Sequence, residues 1–310
     1  MQQRNFIHYF VILLKGVAMG AADVVPGVSG GTIAFISGIY EELLSSISAI
    51  NFKTLKLLKT TGFKGTWKAL NANFLLSLVT GIFISVLSLA KLISWLLENH
   101  PILVWSFFFG LVLASILYIG KQITQWNALI VFGLLGGAAI AYYVTTLQPL
   151  ISENSSPLFL FLAGALAICA MILPGISGAF ILVLLGAYKP VLEAIHNRDF
   201  KLIAILGLGA IVGLLTFSKV LKWLFSNYKN YTLAVLTGFI LGSLNKIWPW
   251  KETITWRLNS KGVNVPLNEL SISPFSFEGD AQLPLAIALA IIGFALIILL
   301  EKLANKLDTI

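Results

Sequence analysis

Ala22-Asp23-Val24-Val25-Pro26-Gly27-Val28-Ser29-Gly30-Gly31-Thr32 closes the first apolar stretch of this chain, and Leu173-Pro174-Gly175-Ile176-Ser177-Gly178 closes a later one, with Pro174 standing 148 positions after Pro26. Each Pro-Gly breaks a helix, because proline lacks the amide hydrogen and glycine is costly inside a helix. Ahead of the breaks lie Phe6–Ala22 and Leu158–Leu173; behind them lie the shorter runs Ile33–Tyr40 and Ala179–Tyr188. The thirteen residues from Ile176 to Tyr188 make about 20 Å of helix, against a hydrocarbon core of about 30 Å. The pattern predicts two re-entrant helical hairpins, 6–50 and 158–196, each entering and leaving on one side. Non-helical backbone at membrane depth is tolerated only where protein or water surrounds it. The hairpins therefore belong in the molecular interior.

Six further apolar stretches are long enough to cross a bilayer: 73–97, 102–120, 127–147, 202–225, 231–248 and 283–303. Composition agrees, since 58% of the 310 residues are hydrophobic and only 11% charged, where a soluble domain carries about 25% charged residues. This excludes a water-soluble enzyme and a disordered or fibrous chain. It predicts an all-α polytopic membrane protein. The N-terminal apolar stretch runs into Asp23 and Pro26 rather than a small-residue cleavage site, so it reads as part of the fold and not as a signal peptide. A single cysteine, Cys169, cannot form an internal disulfide.

The chain also repeats itself. The offset of 148 that joins the two Pro-Gly motifs also pairs Gly16 with Gly164, Gly38 with Gly186, Tyr40 with Tyr188, and Phe52-Lys53 with Phe200-Lys201. Further on, Gly81, Lys91, Trp95, Asn99, Gly110 and Ser115 match Gly209, Lys219, Trp223, Asn227, Gly238 and Ser243 at an offset of 128. Residues 1–150 thus form a first repeat and residues 151–310 a second. Each is a hairpin plus three spans. Three is odd, so the repeats are expected to lie in opposite membrane orientations, the inverted-repeat plan of many secondary transporters.

Charge sets the expected orientation. The chain has 21 Lys and Arg against 13 Asp and Glu, a net charge of +8. On a soluble domain this would suggest nucleic acid; here it points to cytoplasmic loops and anionic headgroups, with no nucleic-acid partner. The segment 51–72 holds Lys53, Lys56, Lys59, Lys64 and Lys68, and the positive-inside rule places it, with both termini, in the cytoplasm. Its lysines interleave with Phe52, Leu55, Leu58, Phe63 and Trp67, which suggests a helix lying in the headgroup layer. The outer loop 249–282 contains alternating runs, Thr253–Leu258 and Val263–Leu267, around Asn259-Ser260-Lys261-Gly262. It reads as a β-hairpin outside the membrane.

The two Pro-Gly tips are where chemistry is expected. Each is the start of a helix behind a glycine-rich turn, where unpaired amides favour an anion. Gly27, Gly30, Gly31, Gly175 and Gly178 let backbone approach a ligand, and Ser29, Thr32 and Ser177 can cap the helix or donate hydroxyls. In a membrane interior the anion is a phosphate or a carboxylate. The alternative is that these small residues serve packing alone. Asp23, which aligns with Met171 in the second repeat, is a carboxylate at membrane depth. It either titrates and couples transport to protons, or accepts loop N–H bonds and holds the turn. Lys15 either pairs with an acid or snorkels. Lys91 and Lys219, each four residues before a tryptophan, either draw an anionic headgroup into two entrances or snorkel beside an aromatic belt. Glu41 and Glu42 read as ordinary ends of a hairpin arm. The three histidines, His8, His100 and His196, are scattered, and no metal-spaced cluster, nucleophile elbow or phosphate-binding Gly-Lys-Ser/Thr loop is present. Neither an enzyme nor a cofactor or metal is expected.

The paired motifs, with Gly16–Tyr40 around the first and Leu173–Tyr188 around the second, resemble the signature of the bacterial polyprenyl-phosphate (undecaprenyl phosphate) transporter family of the PopT type. The resemblance covers nearly the whole chain, with loop 249–282 and segment 51–72 its least family-like parts. It implies a flippase-like transporter that returns undecaprenyl phosphate from the outer to the inner leaflet of the cytoplasmic membrane for cell-envelope synthesis. Carried over residue by residue, it implies Ser29, Gly30, Gly31, Thr32, Ser177 and Gly178 as phosphate contacts, Pro26, Gly27, Pro174 and Gly175 as the hairpin turns, and Asp23 as the proton link. A small-anion channel or carrier using the same tips is the alternative.

Overall fold

The computed structural model describes residues 4–25, 28–147, 156–258 and 264–307, which are helical but for one β-hairpin. In chain order the helices are α1 (Phe6–Val24), α2 (Gly30–Ile36), α3 (Tyr40–Ser48), α4 (Phe52–Thr60), α5 (Gly62–Ala69), α6 (Ala72–Asn99), α7 (Pro101–Lys121), α8 (Ala128–Thr146) and α9 (Pro157–Ile172). They continue as α10 (Gly178–Leu184), α11 (Tyr188–His196), α12 (Phe200–Asn227) and α13 (Lys229–Ser243). The strands β1 (Lys251–Leu258) and β2 (Asn264–Ser271) then precede α14 (Leu283–Leu307).

The helix α9 ends at Ile172, just before Pro174-Gly175, and α10 starts at Gly178; α1 ends at Val24 and α2 starts at Gly30, on either side of the expected first break. The return arms differ from expectation. Each is two short helices, seven residues and then nine, rather than one continuous helix of about 20 Å. The cause is local. Gly38 at φ +74° and Gly186 at φ +71° occupy the left-handed region, which glycine enters without strain and other residues rarely do. Gly62, at φ +68°, likewise divides the expected interfacial helix of segment 51–72 into α4 and α5. All five lysines of that segment, with Phe52, Leu58 and Phe63, are exposed.

Among the described residues, five helices are long and apolar enough to cross a membrane: α1, residues 72–89 of α6, α7, α8 and α12. The helix α9 is apolar but shorter, and α14 is apolar over residues 283–299. The stretch 231–248, expected as a full span, is the 15-residue α13 tightening into a 3-10 turn at Leu244–Ile247. Conversely α1, expected as a hairpin arm, has 19 residues and the length of a crossing by itself.

Glycine decides which helices lie against which. The helix α1 runs along α6, α9 along α12, α7 along α14, and α8 along α13. A Cβ at Gly16 would overlap the Leu78 carbonyl oxygen, and one at Gly81 that of Leu13. Gly164 stands likewise against Leu206, Gly209 against Phe161, Gly110 against Ala290, and Gly238 against Leu134. Lipid offers helices no hydrophobic reason to associate, so such close backbone approach is what holds them. The buried core gathers around the first hairpin: Val25, Val28, Ala34 and Leu44 meet Phe74 and Leu78 of α6 and Leu233, Leu236 and Ile240 of α13. Phe83 and Leu87 of α6, Phe132 and Leu135 of α8, and Ile291 of α14 point outward, an apolar surface of the kind that meets lipid.

The two ends of the bundle carry different chemistry. At one end Arg4 makes a two-pronged pair with Glu42 (2.6 and 2.8 Å), Asn71 donates to the same carboxylate (2.8 Å), and Lys229 pairs with Glu41 (2.7 Å). Glu41 and Glu42 thus tie α3 to its surroundings and are more than helix ends. At the other end β1 and β2 pair antiparallel, with Lys251 opposite Ser271 and Thr253 opposite Glu269. The expected hairpin is present, with its turn 259–263 outside the described residues. Its base is fixed: Trp248 Nε1 donates to the Ile272 carbonyl (2.8 Å), Trp250 Nε1 to that of Ala281 (2.9 Å), and Ser271 Oγ to Asn245 Oδ1 (2.9 Å). Trp250 packs with Ile102 of α7 and Ala286 of α14.

Candidate functional site

The two tips meet, and they meet asymmetrically. Ser29 caps α2 by accepting the Gly31 amide at 3.1 Å. Its hydroxyl faces two carbonyls at the end of α9, Met171 at 3.2 Å and Leu173 at 3.3 Å, and has one hydrogen to share between them. Tyr40 of α3 donates to the carbonyl between those two, Ile172, at 3.1 Å. Thr32 Oγ1 accepts the Gly175 amide at 3.0 Å. The chain therefore spends three side chains of its first hairpin on the backbone of the second hairpin's turn. These are groups that the break in α9 would otherwise leave unpaired. The approach is close enough to require glycine at position 31, where a Cβ would lie 2.6 Å from the Ile172 oxygen.

Asp23, in the last turn of α1, accepts the Gly30 amide at 2.7 Å. It performs for the first tip the turn-holding role weighed from sequence. Pro26 and Gly27, the expected first turn, lie outside the described residues. Ser29 and Thr32 are each about 1% exposed, and every residue of α2 is buried. Lys15 donates to the Ser37 carbonyl at 2.7 Å and so covers the other end of α2.

The second tip is built differently although its motif is nearly the same. Met171 stands where Asp23 stands in the first and offers no acceptor to the amides of α10. Ser177 precedes α10 without a side-chain cap bond, and only Gly178 of that helix is buried. Gly178 is needed for space, since a Cβ there would lie 2.6 Å from the Ala167 oxygen. Gly175, at φ +88°, holds the turn against α13, where its Cβ would lie 2.8 Å from Ser243 Oγ. Beside this tip is a narrow cleft whose walls include Thr145 of α8, Ser177, Phe180 and Lys246, with room for about one water molecule. The Lys246 ammonium lies 5.2 Å from the Phe180 ring centre and 4.0 Å from Glu269 Oε2. An ammonium and a hydroxyl at one cleft are donors suited to an anion's oxygens.

Lys246 is the residue that sequence reading missed. Its signal was present: it is the lone cation inside the expected span 231–248. The other basic residues lie elsewhere. Lys219 lines an open groove with Ser48, Lys222, Trp223, Ser226 and Asn227, near the end of the bundle that carries Arg4 and Lys229. Lys91 is exposed on α6, one turn before Trp95, whose ring stacks edge-on with His100. The structure brings Ser29, Gly31 and Thr32 together with the Pro174-Gly175 turn. It brings Ser177 to the cleft, packs Gly178 against Ala167 of α9, and keeps Lys91 and Lys219 away from both. Among the described residues no group of His, Cys, Asp and Glu has the geometry to hold a metal.

Residues 19–265 match a family model described as undecaprenyl phosphate translocase-like. A protein of Vibrio cholerae serotype O1 (strain ATCC 39315 / El Tor Inaba N16961), named polyprenyl-phosphate transporter, is 51% identical over 304 residues, covering 97% of this chain and 98% of its own. A protein of the same name from Staphylococcus aureus (strain NCTC 8325 / PS 47) is 32% identical over 270 residues, covering 82% of this chain and 89% of its own. No solved structure matches the chain.

Proposed function

Because the chain belongs to the undecaprenyl phosphate translocase-like family, we propose that it carries undecaprenyl phosphate or a similar polyprenyl phosphate from the outer to the inner leaflet of a bacterial cytoplasmic membrane by alternating access. One observation carries the mechanism. Two nearly identical tips stand in unlike states, the first interlocked and buried, the second bordering a cleft beside Lys246. A transporter built from an inverted repeat exchanges such states between its halves. Matching dimensions support that repeat: α6 and α12 both have 28 residues, and α2 and α10 both have seven. The glycine contacts match too, because Gly16 and Gly164 face Leu78 and Leu206, residues related by the same offset of 128 that relates Gly81 to Gly209.

In the state described, the cleft is too small for a phosphate, so substrate enters only when α8 and the Lys246 turn separate from α10. The phosphate oxygens then meet the Ser177 hydroxyl, the Gly178 amide and the Lys246 ammonium, while the isoprenoid tail stays among outward-facing apolar side chains. The opposite state frees Ser29, Gly30, Gly31 and Thr32 from the α9 turn to hold the same phosphate. There Asp23 matters. A phosphate arriving at the Gly30 amide meets a carboxylate already bound to it, and two anions cannot share one donor without strong repulsion. A proton on Asp23 removes the conflict, which is how this residue links proton movement to transport. Lys219 and Lys222 line the release groove, where they attract the headgroup. Both termini lie in the cytoplasm on this reading, a placement supported by the exposed lysines of α4 and α5.

The test uses protein in liposomes carrying a labelled polyprenyl phosphate, read as movement between leaflets with and without a pH gradient. A hydrogen bond to a charged group contributes about 1.5–3 kcal/mol, so Ser29→Ala with Ser177→Ala should slow movement at least about tenfold. Movement unchanged in the folded double variant would remove these serines from the site. Flux of inorganic anions without lipid movement would make the protein an anion channel.

A further inference from the structure

We propose that Lys246 and Lys251 form a capture site for a phosphate monoester at the hairpin end of the molecule, and that Glu269 of β2 fills it as an internal anion until the substrate arrives. This rests on the transport reading above and names the recognition step within it.

Charge balance is the starting point. Glu269 Oε2 lies 3.6 Å from Lys251 Nζ and 4.0 Å from Lys246 Nζ. One carboxylate is thus stretched between two ammonium groups, beyond hydrogen-bond distance from either. In the described ion pairs the two lysines share Glu269 and no other acid. Among the described residues the cluster is one negative charge short. Lys251 shows the shortage most: its side chain is 8% exposed, and its ammonium has no hydrogen-bond partner. It sits 3.9 Å from the Trp105 ring centre, a cation–π contact that offsets only part of the cost of burying a charge.

Position gives the shortage a use. Lys246 belongs to this cluster and also to the cleft of Ser177 and Gly175. The cluster is therefore continuous with the second tip. A phosphate monoester brings a charge of about −1.5 to −2 and three acceptor oxygens, enough for both ammonium groups at once. A carboxylate brings one charge. Glu269 is aimed by a rigid base: Lys251 pairs with Ser271, so residue 269 is its diagonal neighbour on the same face of the hairpin. The bonds from Trp248, Trp250 and Ser271 hold that base to the bundle. Substrate phosphate can displace the carboxylate locally while the hairpin stays docked. Glu269 thereby keeps weaker anions out, since only a ligand of higher charge density competes well.

Binding to purified protein in nanodiscs tests this, with a polyprenyl phosphate, a diacyl phosphatidic acid and inorganic phosphate as separate probes. Glu269→Gln should tighten polyprenyl phosphate binding at least about fivefold, and Lys246→Gln should weaken it by at least as much. Inorganic phosphate displacing the lipid would show that the headgroup alone is recognised; binding of both lipids without such displacement would show that the phosphate must arrive in a bilayer. Unchanged or weaker binding in folded Glu269→Gln would overturn the internal-anion role. If that variant does not fold, Lys246→Gln decides, and unchanged binding there overturns the proposal. Binding that needs Ser177 but ignores Lys246 and Glu269 would sink this inference alone. No binding of any polyprenyl phosphate to wild-type protein would sink the transport reading with it.

Discussion

Gly31→Ala is the sharpest perturbation of the tip contact. The added methyl carbon would lie 2.6 Å from the Ile172 oxygen and 3.1 Å from that of Met171. Both obstacles are backbone atoms at the end of α9, so neither can rotate aside. The tips must part by several tenths of an ångström. Overpacking of this kind costs about 1–3 kcal/mol. Parting also lengthens the bonds from Ser29, Thr32 and Tyr40 to the second turn, each contributing about 1 kcal/mol. A loss of roughly 2–4 kcal/mol follows. At about 2–4 °C per kcal/mol for a chain of more than 150 residues, the apparent melting temperature in detergent should fall by roughly 5–15 °C. The control is Gly136→Ala in α8, where an added Cβ meets nothing within 4 Å. There the better helix propensity of alanine should leave stability unchanged or slightly raised. If Gly31→Ala melts with Gly136→Ala and wild type, the tips are not in contact in the working protein, and the interlock argument fails.

Tyr40→Phe keeps the ring cluster with Phe35 and Phe225 but strips the Ile172 carbonyl of its donor; thermal unfolding should show a loss of about 1–3 kcal/mol. Asp23→Asn retains an acceptor for the Gly30 amide, so the protein should stay folded while the response of lipid movement to a pH gradient disappears; a gradient response equal to wild type would return Asp23 to a purely structural role. Burial holds the Lys251 amine near a pKa of about 8 instead of 10.5, with Glu269 opposing that shift in part. The folded state therefore pays to keep this charge below about pH 8, and the penalty fades as pH rises toward 10.5. Relative to Lys251→Met, wild type should gain on the order of 3 kcal/mol across that window, read as a narrowing melting-temperature difference between pH 7 and pH 10; a constant difference would refute it.

Much of the architecture was legible because it rests on residues whose backbone chemistry admits one reading. Pro174-Gly175 cannot continue a helix, and the break follows at Leu173. The alternation on either side of Asn259–Gly262 gives β1 and β2. Helix length is less legible from hydropathy alone. The run 231–248 is apolar up to Leu244, and the helix tightens after Ser243, where Asn245 bonds with Ser271 and Pro249 follows. The return arms were misjudged for a related reason. Gly38 and Gly186 look innocent in an apolar run, yet each ends its seven-residue helix in a left-handed conformation that lets the next amide bond back, Ile39 to the Ala34 carbonyl and Ala187 to that of Leu182. Lys246 was passed over because its partner Glu269 is supplied from β2, across a turn whose register the pattern did not fix.

The site was less legible than the fold because two tips that read alike are not alike. Both spell Pro-Gly-x-Ser-Gly, and sequence reasoning treats their glycines and serines as equivalent donors. The difference lies just outside the motif. Thr32 corresponds to Phe180 and Asp23 to Met171. With Thr32 the first tip can grip the second turn's amide, and with Asp23 it can satisfy its own. With Phe180 and Met171 the second tip can do neither by those means. Lys246, which follows α13, lies over Phe180 and borders the same cleft as Ser177. The physical consequence is an uneven energy between the two states of any exchange. At the first tip Asp23 and the α9 turn already engage the groups that the proposed reading gives to a phosphate. On the proposed reading, the second tip lies near a cation that an arriving anion satisfies better than Glu269, 4.0 Å away, does. A substrate that binds one tip more strongly than the other shifts the equilibrium only by that difference. On the transport proposed above, the residues flanking the repeated motif, more than the motif itself, are therefore where a phosphate drives the protein from one state to the other.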